Sequence, residues 1–267
     1  MDLSIPKIMG IVNVTQDSFY DGGKIKTDRD LLQKAEKMLS EGADILDIGA
    51  YSSRPGAKDI ALEEEQQTAA QAVVQIMKEF PEAVISIDTF RSEVAETCVQ
   101  EGAAIINDIS AGELDDDMFD LVIRLNIPYI MMHMRGNPRT MSQMTDYGDL
   151  VSDVIDYFNL KITQLRRKGV KDLIIDPGFG FAKTREQNFE LMAKLELLWM
   201  LDVPMLSGVS RKSMIFKTLD CTPDEALNGT TALNMASLMK GASILRVHDV
   251  KEAKETVTLF EQLKKKD

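Results

Sequence analysis

Eight short apolar runs, rich in Ile and Val, recur along the chain with room for a helix between each pair: IMGIVNV (8–14), DILDIGA (44–50), AVISIDT (83–89), AAIINDIS (103–110), PYIMMHM (128–134), DLIIDPG (172–178), PMLSGVS (204–210) and SILRVHD (243–249). Near-continuous apolarity over such lengths suits strands buried on both faces, which means parallel strands joined by helical crossovers. Amphipathic segments fill the intervals. Leu31, Ala35 and Met38 share one face of the first, and Ala69, Val73, Ile76 and Met77 form the core side of the second. Thr222-Pro223-Asp224-Glu225 combines an N-cap, a proline at the first helical position and a glutamate three residues after the cap. The last helix is expected from Lys251 to Lys264. Eight strands, each followed by a helix, predict an α/β fold of the (β/α)8 TIM-barrel type, with residues 1–267 as one domain. A doubly wound open sheet is the alternative. The strand count and the lack of a GxGxxG after the first strand count against it.

Charge and composition narrow the partners. With 31 basic and 43 acidic residues the formal charge is −12, which argues against a general nucleic-acid binder. A few inward-facing cations could still hold a small anion. Cys98 and Cys221 form no CxxC pair and read as thiols of a reducing compartment. The opening MDLSIPKIMG has neither the basic region nor the long apolar region of a signal peptide, and no run is long enough to span a bilayer. A cytoplasmic location with no membrane partner is expected.

In a barrel of this type the active site lies at the C-terminal ends of the strands, so polar residues should gather there. They do: Asn13, Asp47, Asp88, Asn107, Asp108, His133, Asp176, Ser210 with Arg211-Lys212 beyond it, and Arg246 with His248. A single Asp after a strand is often only a cap or turn residue. The same pattern at strand after strand is not accidental. In ILRVHD, alternation places Arg246 and His248 on one face, about 7 Å apart. Either a salt bridge to a neighbouring strand or an anion site would explain two cations in a buried strand. Asp88, Asn107 and Asp176 suit a flat heterocycle with a donor-rich edge. Lys212, Arg246, His248 and Arg54 suit a separate anion pocket. GFGFAKT is not a phosphate-binding P-loop, because Pro177 and Ala182 stand where glycines would be needed. His133 and His248 lie on different strands without HxH or HExxH spacing, and MMHM reads as core packing.

The segments IMGIVNVTQDSFYDGG, DIGAYSSRPGA, SIDT, INDIS, MHMRGNPRTM, DPGFGFAKT, SGVSRKS and RVHDV resemble, in order, the successive motifs of the dihydropteroate synthases. The resemblance spans nearly the whole chain. It implies a transferase of folate biosynthesis that condenses 6-hydroxymethyl-7,8-dihydropterin diphosphate with 4-aminobenzoate, releasing diphosphate. It also implies Mg2+, a homodimer and a sulfonamide target. Carried over position by position, Asp88, Asn107, Asp176 and Lys212 would form the pterin pocket. Asp176 would accept from the 2-amino and ring N–H edge, and Lys212 would donate to the ring oxygen and nitrogen. Asn13, Arg246 and His248 would hold the diphosphate, with Asn13 also ligating Mg2+ and Arg246 stacking on the pterin. Loops 15–23 and 52–57 look like the family's mobile loops. There Ser53 and Arg54 would touch phosphate, and Pro55 with Phe181 would flank the aminobenzoate ring. Ser213, at a helix start, would receive its carboxylate.

The chain departs from the family pattern at Gln16, Ala50-Tyr51, Ser53 and Arg135, where Pro, Gly-Glu, Thr and Gln are usual. None of these is a pterin-pocket position. The implied chemistry is a carbocation-like loss of diphosphate followed by attack of a neutral aromatic amine, so no general base is required. A methyltetrahydrofolate:corrinoid methyltransferase would not need the cations of SRKS and RVHD. A non-catalytic pterin-binding paralogue would lose the diphosphate cradle. The segment Ala226–Met239, with Leu227, Ala232, Leu233, Met235, Ala236, Leu238 and Met239, is more apolar than one barrel-facing stripe requires and is the expected dimer face.

Overall fold

Alternation within each apolar run decides which side chains face inward and which face the surrounding helices. The computed structural model describes residues 2–14, 27–51 and 59–264. The runs form β1 (Lys7–Asn13), β2 (Ile45–Gly49), β3 (Ile85–Asp88), β4 (Ile105–Asp108), β5 (Tyr129–Met132), β6 (Leu173–Asp176), β7 (Leu206–Ser207) and β8 (Ile244–Val247). All pairings are parallel, in the order β6-β5-β4-β3-β2-β1-β8-β7. The two outer strands meet through a bridge between Ile175 and Met205, supported by the Ile175 N–H donating to the Pro204 carbonyl at 3.0 Å. The sheet thus closes into the expected barrel. The strands are shorter than the apolar runs. Beyond the last ladder bonds the chains splay apart, and the polar run-ends become loops at the barrel mouth.

Between the strands lie α1 (Asp28–Ser40), α2 (Leu62–Glu79), α3 (Ser92–Gln100), α4 (Met118–Leu125), α5 (Leu150–Arg167), α6 (Arg185–Ala193), α7 (Ser213–Phe216), α8 (Leu227–Met239) and α9 (Val250–Lys264). The first two bury the stripes expected of them, Leu31, Ala35 and Met38 on α1 and Ala69, Val73 and Ile76 on α2, with Met77 only partly buried. The Thr222–Glu225 capping box is present, but it opens a single 3-10 turn before α8 begins. The buried face of α8 is unusually polar, with Thr230, Asn234 and Ser237 turned to the barrel beside Leu238. That leaves Leu233, Met235 and Ala236 half-buried and Met239 exposed on its other sides.

The interior has two layers. Met9, Ile45, Ile105, Ile130, Ile174, Leu206 and Ile244 plug the lower barrel as one apolar cluster. A larger cluster, including Ile8, Leu46, Ile48, Ile87, Phe158 and Val247, lies between the sheet and the helices. The plug fixes the inward parity of each strand. Two residues further along, on β2, β4, β6 and β8, that parity reaches polar side chains.

Candidate active site

Above the plug, the inward positions are Asp47 on β2, Asn107 on β4, Asp176 on β6 and Arg246 on β8. Arg246 reaches across the lumen. Its Nε donates to Asp47 Oδ2 at 2.6 Å and its Nη2 to Asp88 Oδ2 at 2.5 Å. Asp47 Oδ2 also accepts from Asn107 Nδ2 at 3.0 Å. Of the two readings of ILRVHD, the ion pair is the one seen here. Its partners come from β2 and β3, on the far side of β1, rather than from the strand next door. Burial works against the Arg246 charge, yet Asp47 and Asp88 raise its pKa above the ordinary arginine value. Burial raises the Asp88 carboxyl, with Arg246 pulling it down and Asp47 pushing it further up.

Asn13 ends β1 opposite Gly49. A Cβ placed on Gly49 would lie 3.7 Å from Asn13 Oδ1 and 3.5 Å from Asp88 Oδ2, which puts both side chains against the same bare stretch of β2. His248 follows β8. Ser210 Oγ accepts from the His248 backbone N–H at 3.1 Å and lies 3.0 Å from its Nδ1, which ties the ring to the end of β7.

The β6 turn supplies the rest. Asp176 is buried, and its Oδ1 accepts from the Gly178 N–H at 2.8 Å. Burial raises its pKa, opposed first by the charge of Lys212. Lys212 caps α7 and donates to the Phe179 carbonyl, with its Nζ 4.9 Å above the centre of the Phe181 ring. The same desolvation pushes Lys212 down to about 8, against the pull of Asp176. At Gly208 the lumen wall has no side chain. A Cβ there would lie 3.8 Å from both Asp176 Oδ2 and Arg246 Cβ. The slot bounded by this bare wall has the Asp176 carboxylate and the Arg246 side chain at its edges.

Of the residues singled out in the sequence, Asn13, Asp88, Asn107, Asp176, Lys212, Arg246 and His248 converge on this mouth, and Phe181 joins them through its contact with Lys212. Ser53, Arg54 and Pro55 lie outside the described residues, as do residues 15–26. Ser213 is exposed at the start of α7, but α7 is a single turn of four residues. The helix-dipole argument for a carboxylate there is correspondingly weak, because a macrodipole needs several aligned turns. Asp108 belongs to the scaffold. Its two oxygens accept from Ser110 N, Ser110 Oγ, Gly112 N and Tyr129 Oη. Arg135 lies over the Tyr147 ring at 3.8 Å and pairs with Asp153 at 2.9 Å, away from the slot. Tyr51 meets Phe90 edge-on at 5.1 Å.

Asp47 was visible as a strand-end carboxylate but not as the anchor of Arg246; Lys183 had no place in the sequence reading at all. Inward parity with Ile45 was the available signal for Asp47. Among the described residues no cluster of three His, Cys, Asp or Glu side chains could hold a metal ion. The carboxamide oxygen of Asn13 is one hard donor, which suits a magnesium ion that keeps most of its shell as water and phosphate oxygens.

Comparison with known proteins agrees with this geometry. The family described as pterin binding enzyme matches residues 9–248. The dihydropteroate synthase of Escherichia coli K12 is 40% identical over 263 residues, covering 98% of this chain and 93% of that protein. The dihydropteroate synthase of Yersinia pestis, solved as a sulfonamide drug complex, superposes with a TM-score of 0.94 at 37% identity, covering 99% of this chain and 96% of that one. The enzyme from Xanthomonas albilineans, solved in complex with 7,8-dihydropteroate, superposes with a TM-score of 0.87 at 33% identity, covering 99% and 95%.

Proposed function

The chain belongs to the dihydropteroate synthase family of pterin-binding enzymes, and from that premise we propose how its own residues carry out the condensation of 6-hydroxymethyl-7,8-dihydropterin diphosphate with 4-aminobenzoate. The observation that carries the reading is the convergence of Asp176, Asn107, Lys212 and Arg246 on one slot above the apolar plug. In this reading the pterin edge lies against Asp176 and Asn107. Lys212 donates to the ring oxygen and nitrogen, and the Arg246 guanidinium, held by Asp47 and Asp88, packs on the ring face.

Asn13, His248 and the outer edge of Arg246 face the diphosphate, and Asn13 would contribute one oxygen to Mg2+. When bound, the ion would neutralise charge on the leaving diphosphate. The protein's own part is electrostatic and positional. It aligns the exocyclic carbon, places cations beside the departing group and keeps water out while the neutral amine attacks. Asp88 and Asp47 keep Arg246 oriented, so the guanidinium is already in place before the substrate arrives. Ser53 and Arg54 would touch the diphosphate in this reading, and Pro55 would flank the aminobenzoate ring with Phe181 on the other face. The sulfonamide drug complex of the Yersinia relative supports a sulfonamide target here.

The partly exposed apolar residues Leu233, Met235 and Met239 of α8 support a two-fold dimer, to be read as twice 29.8 kDa by light scattering. Among the described residues no helix is long and apolar enough to cross a membrane, in keeping with a cytoplasmic enzyme. Diphosphate release that requires both the pterin diphosphate and 4-aminobenzoate tests the function. Release with neither dependence, or none at all, would contradict it.

A further inference from the structure

We infer that Lys183 is a positioning residue for the pterin slot, holding the arch of residues 177–182 in the shape that presents Asp176, Phe179 and Phe181 to the ligand. The inference rests on the pterin reading given above and extends it to a residue that takes no part in the chemistry. Lys183 is 8% exposed, and no carboxylate among the described residues lies within ion-pairing distance of it. A buried ammonium is costly unless its donors are satisfied. Its Nζ lies 2.9 Å from His133 Nδ1, 3.1 Å from the Gly178 carbonyl and 3.1 Å from the Phe181 carbonyl. Three donors thus meet three acceptors, two of them at opposite ends of the arch.

The arch needs such a tie. Gly178, Gly180 and Ala182 have φ of +70°, +82° and +48°. For Ala182 this left-handed conformation costs about 1–2 kcal/mol, which the surroundings must offset. The Tyr147 hydroxyl donates to the Ala182 carbonyl at 2.8 Å, and Asn188 Oδ1 accepts from the Gly180 N–H at 2.6 Å. A Cβ on Gly178 would sit 2.1 Å from the His133 carbonyl oxygen, so the arch and the end of β5 are in direct backbone contact.

Everything the arch offers the slot is attached near a Lys183 contact. The Gly178 N–H orients Asp176 Oδ1, the Phe179 carbonyl receives Lys212, and the Phe181 ring lies beneath the Lys212 ammonium.

The tie also tolerates loss of its proton. As an ammonium, Lys183 donates three bonds and His133 carries its proton on Nε2. As an amine, it donates to the two carbonyls and accepts from His133 Nδ1–H in the other tautomer. Burial and Lys183 keep His133 neutral, with its pKa pushed down to about 2. Burial pulls Lys183 down to about 7, with Asp176 on β6 opposing and with Lys212 before α7 and Arg135 after β5 adding to the shift. The same three contacts can therefore be made by either protonation state of Lys183.

Two measurements test this. In calorimetry with 6-hydroxymethylpterin, wild type binds, and Lys183→Met, still cooperatively folded, binds on the order of 100-fold more weakly, as expected for slippage of positioned groups. Equal affinity in the two proteins would overturn the positioning role while leaving the pterin reading intact. Failure of wild type to bind would remove the pterin reading and this inference with it. The second measurement needs no variant. Nitrogen-15 NMR of the imidazoles is simple because the chain has only two histidines, His133 and His248. The His133 Nδ1 signal is expected to change from acceptor-like to N–H-like as pH rises through the Lys183 titration near 7. An Nδ1 signal that is N–H-like at acidic pH, where Lys183 is an ammonium and can only donate, would overturn the tie.

Discussion

Replacing Asp176 by Asn should separate recognition from folding. The wild-type carboxylate is 5% exposed, spends Oδ1 on the Gly178 N–H at 2.8 Å and turns Oδ2 toward the bare wall at Gly208. An asparagine can keep the Gly178 bond with its carbonyl oxygen, but its NH2 then faces the slot. Pterin donors would meet a donor, and buried groups on both sides would go unpaired. Each such lost bond costs about 1–3 kcal/mol, so we expect a net loss of about 2–4 kcal/mol, or about 30- to 700-fold in affinity.

Stability should move differently. Burial raises the Asp176 pKa in the folded protein. Its ionised form therefore disfavours folding at pH values above both its unfolded and folded pKa, and stability falls as pH rises through that window. Removing the charge removes this penalty, so the variant should melt no lower than wild type at neutral pH. By the same sign, wild-type affinity for the pterin should decline on acidification at a higher pH than an exposed carboxylate would cause, because protonated Asp176 loses an acceptor. Titration calorimetry with 6-hydroxymethylpterin, run with thermal melts of both proteins, is the assay. Unchanged affinity would refute the pocket, and weak binding explained by an unfolded variant would refute the separation of recognition from folding.

Gly208→Ala places a methyl at ordinary contact distance from Asp176 Oδ2 and Arg246 Cβ, 3.8 Å in each case, so the melting temperature should hold while pterin affinity falls; equal affinity would mean that the ring lies elsewhere. Arg246→Leu strands Asp47 and Asp88 without their cation and should cost about 3–5 kcal/mol in denaturant unfolding; an unchanged midpoint would show that the cross-barrel pair is not held in solution. 4-Aminobenzoate should bind weakly alone and more tightly with pterin, diphosphate and Mg2+ present, by about 1–3 kcal/mol of coupling. Arg54→Ala should remove most of that difference, and equal affinity with and without diphosphate would exclude the coupling.

Much of this site was legible in the sequence because period-two alternation does two jobs at once in a barrel. In ILDIG the residues Ile45, Asp47 and Gly49 share the inward face, while Leu46 and Ile48 pack on helices. The same parity puts Ile105 below Asn107, Ile174 below Asp176 and Ile244 below Arg246. A local pattern says which way a side chain points, but not what it meets across the lumen. Arg246 finds its partners 199 and 158 residues earlier in the chain, at Asp47 and Asp88, because closure of the sheet brings β2 and β3 within reach of β8. Lys183 was hidden for a related reason. It follows a Gly-rich turn that reads as a loop, and only the three-dimensional arch makes it a tie between that turn and His133. The single-turn α7 was also not legible, since SRKSMIF carries no stop signal before the chain turns toward Thr222.

The most direct test of the central claim is stoichiometry. Incubation with pterin diphosphate, 4-aminobenzoate and Mg2+, with mass-resolved detection of the pterin product and parallel assay of diphosphate, should give one dihydropteroate per diphosphate released. Diphosphate release without dihydropteroate, or pterin binding with neither product, would contradict the account.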